Sequence, residues 1–373
     1  MALYLLSILL CFIFSFSKNK DLKFYLLCLL LLFLCGGYMT GSDWRNYEQE
    51  YNVASFVDLF DIRFEIGYSV LQSVCHSLSI DFWIFHIAIK VLCFYLLCRL
   101  IRFFEVNMLL FWGLFLPEMG FYLFIDCPFR NLIAFGISCL AFPYLFKKQP
   151  GKYFFIATCA VLFHYSALFL YLLYFIKDFR IGNKIYVVLY IFVNIFAYKV
   201  DFILNTIFVE VLGASEFLQD RLLTYALNEN FHTSTINVGT LYRTFFWGVF
   251  LWLRPQIENS SKYGSLLFNI SMFFFLVYPF TISLKIFNRF SIYLLPFYLV
   301  TAITCWRTIV SPSLKIVIIS VLIAWSFIKT YTVVTDDYRY IPYTNYILYL
   351  FQDKPDYRYR SNYNLLHSPY GNN

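Results

Sequence analysis

The sequence predicts an all-α protein: a polytopic bundle of transmembrane helices with about ten spans plus a re-entrant hairpin. Two observations predict it. Hydrophobic residues occupy 61% of the 373 positions and charged residues only 14%, whereas soluble domains have about 45–50% apolar and about 25% charged residues. The excess is gathered into runs of about 15–25 residues, the length that crosses a bilayer core. We expect a single integral membrane domain over residues 1–373.

Ten apolar runs define the predicted spans. They lie near 2–16, 22–39, 82–98, 107–125, 129–146, 185–205, 239–253, 263–284, 290–306 and 314–333. The first run has no Lys or Arg before it and no small-residue cleavage site after it. A cleaved signal peptide needs both, so we expect a retained first helix.

The charges between the spans predict the orientation, because Lys and Arg are enriched in cytoplasmic connectors. The connectors placed inside carry 15 Lys and Arg against four acidic residues, and the outer regions carry 17 acidic residues. This places both termini and the polar interval 40–81 outside. Segment 66–80 is short and amphipathic, and we expect it to lie in the outer interface. If it crossed instead, Arg99 and Arg102 would lie outside.

The apolar run 153–176 is flanked by basic residues on both sides. A single crossing would place one basic cluster outside and invert every later span. Two half-length helices that form a re-entrant hairpin keep both clusters inside, and such backbone is allowed where protein or water surrounds it. The predicted apex is the segment 163–167, which contains His164.

Several polar side chains are unusual for a membrane chain. Asp43 and Glu65 flank the first outer loop, and Arg130 and Arg289 each begin an apolar run. Each arginine is either an interface anchor whose side chain reaches water or a guanidinium that binds phosphate through its fork of donors. His164 is either a packing residue or a proton shuttle.

Other function classes lack their sequence signals. The ten cysteines include no CxxC pair, and we find no glycine-rich phosphate loop, HExxH or GxSxG. The net charge of +7 is not gathered into a basic face, so we expect no nucleic-acid partner. We also expect no cofactor and no metal, because fixed arginines can hold the leaving charge of a phosphate ester.

The order of short motifs resembles the EpsG family, bacterial exopolysaccharide polymerases related to the Wzy O-antigen polymerases. The matching pieces are Gly41-Ser-Asp43 with Tyr47, Glu65-x-Gly67-Tyr68, Arg130-Asn-Leu-Ile-Ala134, Phe163-His164-Tyr-Ser-Ala-Leu168, Asn288-Arg289 and Tyr340-Ile-Pro-Tyr343. The resemblance implies transfer of a growing glycan from undecaprenyl diphosphate to a lipid-linked repeat unit, outside the bacterial cytoplasmic membrane.

The resemblance also implies roles for these residues. Arg130 and Arg289 are expected to bind the diphosphate, with substrate contacts from Lys285, Tyr47 and Tyr68. The acceptor is oriented or deprotonated by one or more of Asp43, Glu65 and His164, among which the sequence does not decide.

Expected partners are the undecaprenyl-diphosphate-linked oligosaccharide, the lipid bilayer, and a chain-length regulator and flippase of the same pathway. Three other functions stay open. A ligase that moves finished glycan would use a similar fold and similar arginines. A flippase or transporter of lipid-linked sugars should show internal repeats, and we find none. A non-catalytic scaffold would not need Arg130, Arg289 and His164.

Overall fold

The computed structural model describes residues 1–56, 65–179, 181–198, 237–283, 287–335 and 337–367. Throughout these ranges the regular secondary structure is helical, apart from one isolated bridge between Gly37 and Asn345. The all-α prediction is therefore confirmed. Lys285 and the predicted outer loop 206–238, except for its last two residues, lie outside the described ranges.

The described helices follow the predicted apolar runs closely. In the first half of the chain they are α1 Ala2–Ser15, α2 Lys20–Cys35, α3 Trp44–Asn52, α4 Ile66–Ser77, α5 Phe82–Phe103, α6 Met108–Phe115, α7 Phe129–Phe146 and α8 Pro150–Val161. In the second half they are α9 Phe169–Ile176, α10 Asn183–Tyr198, α11 Val238–Trp252, α12 Arg254–Glu258, α13 Gly264–Ser283, α14 Asn288–Thr308, α15 Pro312–Val334 and α16 Tyr357–Leu366.

Within the described ranges, five helices are long and apolar enough to cross a membrane: α5, α7, α13, α14 and α15. Helices α1 and α10 are apolar but shorter. Helix α6 continues into two π-helical turns, Leu116–Gly120 and Tyr122–Asp126. The first of these turns contains Pro117, whose missing N–H cannot continue the α-helical ladder. The count of ten spans stays a prediction.

The chain forms two compact units, one of Met1–Leu168 with Pro312–Asn373 and one of Phe169–Ser311. A single domain over 1–373 stays a prediction. In the first unit, α5 packs against α7 at Gly136, where an added Cβ would lie 2.6 Å from the sulfur of Cys93. Close packing of this kind replaces the hydrophobic driving force between membrane helices.

The first unit has two chemically different ends. At one end, Ser15 accepts hydrogen bonds from Lys23 and Asn107, and the ring of Phe104 contacts that of Phe146. We call this the basic end. Its cations are mostly exposed: Lys18, Lys20, Arg99, Arg102, Lys147, Lys148 and Lys152.

At the other end, which we call the polar end, the C-terminal segment lies across the first loop. The backbone of Tyr38 bonds to Thr344, that of Gly41 bonds to Arg339, and the Tyr4 hydroxyl at the start of α1 donates to the carbonyl of Tyr340. Since α1 joins the two ends, they lie opposite each other. The predicted topology also places these two segments on one side.

Helix α4 turns its polar residues toward the protein. Tyr68, Ser69, Gln72 and Ser73 are buried, whereas the apolar stripe of Ile66, Val70, Val74 and Leu78 is exposed. An exposed apolar stripe beside a polar interior suits contact with lipid rather than water. The location of 66–80 in the outer interface stays a prediction that this pattern supports.

The helical structure is interrupted between α8 and α9, where the hairpin apex was predicted. We call this interruption the break. Helix α8 ends at Val161, and a 3₁₀ turn covers Tyr165–Leu168 before α9 begins. Since α8 and α9 belong to different compact units, the re-entrant return stays a prediction.

In the second unit, α13 packs against α14. The Ser271 hydroxyl donates to Thr301 across 2.7 Å, and the ring of Phe274 stacks on Tyr298 with centroids 4.8 Å apart. Arg289, the second residue of α14, is exposed.

Candidate functional site

Several of the predicted site residues meet at the polar end, beginning with an ion pair between Glu65 and Arg130. A carboxylate oxygen of Glu65 accepts from a guanidinium nitrogen of Arg130. The side chain of Glu65 is 4% exposed and that of Arg130 is 23% exposed. The other Glu65 oxygen accepts from the backbone N–H of Tyr165 across 3.2 Å. One buried carboxylate therefore joins α4, α7 and the break after α8.

Gly67 holds the same three segments together. Its N–H donates to the carbonyl of Leu162 across 2.8 Å. An added Cβ at Gly67 would lie 2.7 Å from that oxygen, closer than real side chains approach. Only glycine lets the start of α4 lie directly against the break, which explains why Glu65 and Gly67 belong to one motif.

Tyr47 and Tyr68 form the wall beside Arg130. The Tyr47 hydroxyl hydrogen-bonds with Arg130, and its ring contacts Tyr68 and Phe129 with centroids 5.9 and 5.8 Å apart. Burial raises the pKa of Tyr47 to about 12. Its phenol therefore stays protonated near neutral pH and acts as a hydrogen-bonding group rather than as a base.

His164 lies at the break, half-buried. Its Nδ1 is 2.7 Å from the Ser166 hydroxyl and accepts from the Ser166 backbone N–H across 3.1 Å. A backbone N–H can only donate, so in the neutral ring the proton is on Nε2. In this tautomer Nε2 of His164 is a hydrogen-bond donor.

Asp43 belongs to a second cluster, which lies at the start of α3. Its Oδ1 accepts from the Ser42 hydroxyl across 3.1 Å, and the same hydroxyl is 3.2 Å from Asp126. Asp126 is buried and also contacts Arg339 across 3.1 Å. One hydroxyl proton cannot serve two carboxylates at once, so Ser42 links Asp43 and Asp126 in a chain that can hold one additional proton.

The second cluster carries more negative than positive charge. Arg339 is already held by both oxygens of Asp337, so this one cation is shared between Asp337 and Asp126, and Asp43 adds a further negative charge beside Asp126. Burial raises the pKa of Asp126 to about 6; Asp43 adds to the rise, and Arg339 and Ser42 oppose it. Asp126 is therefore partly protonated near neutral pH.

A left-handed turn brings the second cluster together. Gly41 has φ +83°, and a Cβ on it would lie 2.1 Å from the carbonyl oxygen of Asp126. Thr40 donates to the carbonyl of Ile125 across 3.0 Å. The Gly41-Ser-Asp43 motif is thus a turn that only glycine permits, and it packs against the end of the π-helical turn Tyr122–Asp126.

The structure locates the other predicted residues differently. Arg289 belongs to the second compact unit, so its partnership with Arg130 stays a prediction, as does that of Lys285. Sequence reasoning missed Asp126 and Arg339 as members of one cluster. A signal for Asp126 existed: it is an acid directly after an apolar run and two residues before Pro128.

A second omission lies inside α5. Lys90 is fully buried, and in the part of the chain that the structure describes its ammonium nitrogen has no hydrogen-bond partner. One turn earlier, His86 is buried with its Nε2 3.5 Å from the sulfur of Cys127. The signal was a Lys and a His four residues apart in an otherwise apolar run.

Comparison with known proteins supports the resemblance that the short motifs indicated. No curated protein matches the chain. No solved structure matches it either. The sequence model of the EpsG family matches residues 21–345, which include every residue of the two clusters. EpsG membership implies a membrane polysaccharide polymerase of the glycosyltransferase type. Because the match extends over nearly the whole chain, this protein belongs to the EpsG family.

Proposed function

We propose that the protein transfers a growing glycan from undecaprenyl diphosphate to a lipid-linked repeat unit on the outer face of the bacterial cytoplasmic membrane. The observation that carries the proposal is the Glu65–Arg130 pair beside the His164 break, at the end of the first unit opposite the exposed lysines. Basic connectors favour the cytoplasm, so we assign the polar end to the exterior.

Arg130 suits the diphosphate. A guanidinium presents a rigid fork of donors that matches phosphate oxygens and keeps its charge in a partly buried site. Without substrate, Glu65 supplies the negative charge that a buried cation requires. An arriving diphosphate competes with Glu65 for the same donors, so Glu65 holds Arg130 ready for substrate. Arg289 and Lys285 are proposed as further cations for the same group.

The reaction needs a base for the acceptor. The acceptor hydroxyl oxygen attacks the anomeric carbon, the bond from that carbon to the diphosphate oxygen breaks, and the hydroxyl proton leaves. Glu65 is neutralised by Arg130, and Nδ1 of His164 is occupied by Ser166. Asp43 is half-buried, and the hydrogen bond that it accepts comes from the neutral Ser42 hydroxyl. We assign the base to Asp43.

His164 has a different role in this scheme. Its Nε2–H suits donation to an oxygen of the diphosphate as negative charge grows there. Tyr47 and Tyr68 line the same side and position the lipid-linked substrate. A chain-length regulator and a flippase of the same pathway are the proposed protein partners, because a polymerase needs exported repeat units and a means of ending the chain.

Glycan analysis in a deletion strain tests the function. We expect long chains to disappear while single repeat units are still exported, and plasmid-borne wild-type protein to restore the chains. Accumulation of repeat units on the cytoplasmic face would indicate a flippase instead. Polymer of normal length that is not passed to its final acceptor would indicate a ligase.

A further inference from the structure

The C-terminal segment carries an apolar run that is unusual outside a membrane span. Residues 346–351 read Tyr-Ile-Leu-Tyr-Leu-Phe, and polar residues flank the run on both sides. Its first five residues form a 3₁₀ helix, Tyr346–Leu350. Four of its large apolar side chains are exposed: Ile347, Leu348, Leu350 and Phe351, the last by 87%. Neighbouring exposed apolar residues of this kind mark a contact surface.

The two tyrosines of the run face the protein, so the run is amphipathic. The ring of Tyr346 lies 5.4 Å from that of Tyr38, and the ring of Tyr349 lies 5.1 Å from it. Tyr38 itself is buried. Residues three apart eclipse each other in a 3₁₀ helix, which puts both tyrosine rings on the inner face. The four exposed side chains point away from the protein.

Hydrogen bonds fix the run to the end of α2. The backbone N–H of Tyr346 donates to the carbonyl of Gly36, the residue after the helix, across 2.8 Å. The Tyr343 hydroxyl donates to the carbonyl of Phe33 in the last helical turn across 2.5 Å. The last carbonyls of a helix have no partner within the helix, so the C-terminal segment caps α2. These bonds set the height of the run relative to that helix.

The exposed face of α2 leads directly to the run. Tyr25, Leu29 and Leu32 are exposed and recur at the spacing of one helix face, on which Gly36 follows. An added Cβ at Gly36 would lie 2.5 Å from the side-chain oxygen of Asn345, so the residue before the run packs on that same face. In a membrane-embedded chain, an exposed apolar helix face contacts lipid tails.

The length of α2 locates the run at a bilayer surface. The helix has 16 residues and begins at Lys20 at the basic end. At about 1.5 Å per residue it is about 24 Å long, close to the hydrocarbon core of about 30 Å. The last turn of α2, and the run bonded to it, therefore lie near the opposite boundary of the core.

We propose that residues 346–351 are a membrane-interface anchor, whose exposed side chains insert into the leaflet at the polar end and attach the C-terminal segment to the bilayer. Lipid is the partner because the exposed side chains continue the lipid-facing stripe of α2. Amphipathic elements with apolar and aromatic side chains bind at this depth. The same segment carries Arg339, which contacts Asp126, so the anchor also helps to hold the cation of the second cluster. The proposal needs a membrane location only and does not depend on the glycan chemistry.

Electron paramagnetic resonance of a nitroxide at position 351 tests the anchor directly. Phe351→Cys is labelled in the full-length protein after the three cysteines that are not buried, Cys28, Cys75 and Cys159, have been replaced by Ser. The labelled protein is reconstituted into phospholipid nanodiscs. Collisions with oxygen, which concentrates in lipid, are compared with collisions with a nickel chelate, which stays in water. We expect oxygen collisions to dominate, at a depth of about 5–10 Å in the boundary between headgroups and acyl chains.

Two further labelled sites calibrate the measurement on the same background. Leu29→Cys lies on the exposed face of α2 and should report lipid. Arg358→Cys lies at an exposed position of α16 and should report water, which also shows that the nitroxide does not insert by itself. Folding of each variant is checked by its size-exclusion profile.

The anchor is overturned if the label at position 351 meets the nickel chelate as often as the label at position 358 does. It is also overturned if the label at 351 is shielded from both reagents, because protein rather than lipid then covers the run. Dipolar broadening of the spectrum in that case would identify a second copy of this chain as the occupant.

Discussion

The two ends of the first unit hold their charged side chains in opposite ways. At the basic end, Arg99 and Lys147 are exposed to solvent. At the polar end, Glu65 and Asp126 are buried and bonded to segments distant in the sequence. Exposed cations at a helix end cost little and can set orientation. Buried charges cost several kcal/mol unless paired, so the polar end is the end where charge has a chemical use.

The largest effect should come from Glu65→Gln. The variant keeps the shape of the side chain but leaves Arg130 without its carboxylate and weakens the bond from Tyr165. Breaking a buried pair costs about 3–5 kcal/mol, and the 23% exposure of Arg130 reduces this figure. We expect a lower Tm in detergent and loss of long glycan. Glu105→Gln, an exposed acid at the basic end, is the matched control, and equal effects of the two changes would contradict the comparison.

His164 variants sharpen the chemistry at the break. Gln at this position retains a side-chain N–H donor, and Ala retains nothing. If Nε2–H donates to the leaving diphosphate, His164→Gln should polymerise about tenfold faster than His164→Ala, about 1.4 kcal/mol in the barrier. The measurement is the rate of chain growth on lipid-linked repeat units at equal protein levels. Equal and complete loss in both variants would restore His164 as the base.

Asp126 in the second cluster should make the stability of the fold depend on pH. The pKa of Asp126 is raised from 3.8 to about 6 on folding, chiefly by burial. Such a group stabilises the fold fully below its unfolded pKa, and the contribution is lost as pH rises through the folded pKa. Relative to Asp126→Asn, the wild-type Tm should therefore fall between about pH 4 and pH 6. A Tm difference that is constant with pH would show that the folded and unfolded pKa values are equal.

Substitution of Lys90 tests whether burial alone identifies a charged residue that is needed for function. Lys90 is buried like Glu65, but no described partner bonds its nitrogen. An unpaired buried charge costs several kcal/mol, so its replacement by an apolar side chain of similar volume should be neutral or stabilising. Lys90→Met should therefore keep glycan length and keep or raise Tm, measured against Lys147→Met at the basic end. Loss of polymer in folded Lys90→Met would extend the site into α5.

The sequence predicted the helices well and the contacts between them poorly. Apolar runs determine where spans begin and end, so α5, α7, α14 and α15 could be placed within a few residues. Contacts between residues far apart in the chain could not be predicted in this way. Glu65 meets Tyr165 across 100 positions, and no local pattern encodes that distance.

The order of the short motifs indicated some of these long-range contacts. It selected Glu65, Arg130 and His164, which the fold brings together, and it selected Gly41 and Gly67, which prove to be points of close backbone approach. It did not reveal that Ser42 joins two carboxylates, because Asp126 belongs to another helix end. Lys90 was missed because its apolar neighbours dominate the average hydropathy of the run.

Polymerisation should depend on a guanidinium at the polar end, and Arg130→Lys removes that group alone. The variant keeps the charge but loses the paired donors. We expect the rate of chain growth to fall roughly ten- to a hundredfold, the effect of about 1.5–3 kcal/mol from one charge-assisted contact. Arg99→Lys at the basic end should leave it unchanged. Wild-type glycan length in Arg130→Lys, at equal protein level, would show that polymerisation does not need the guanidinium of Arg130.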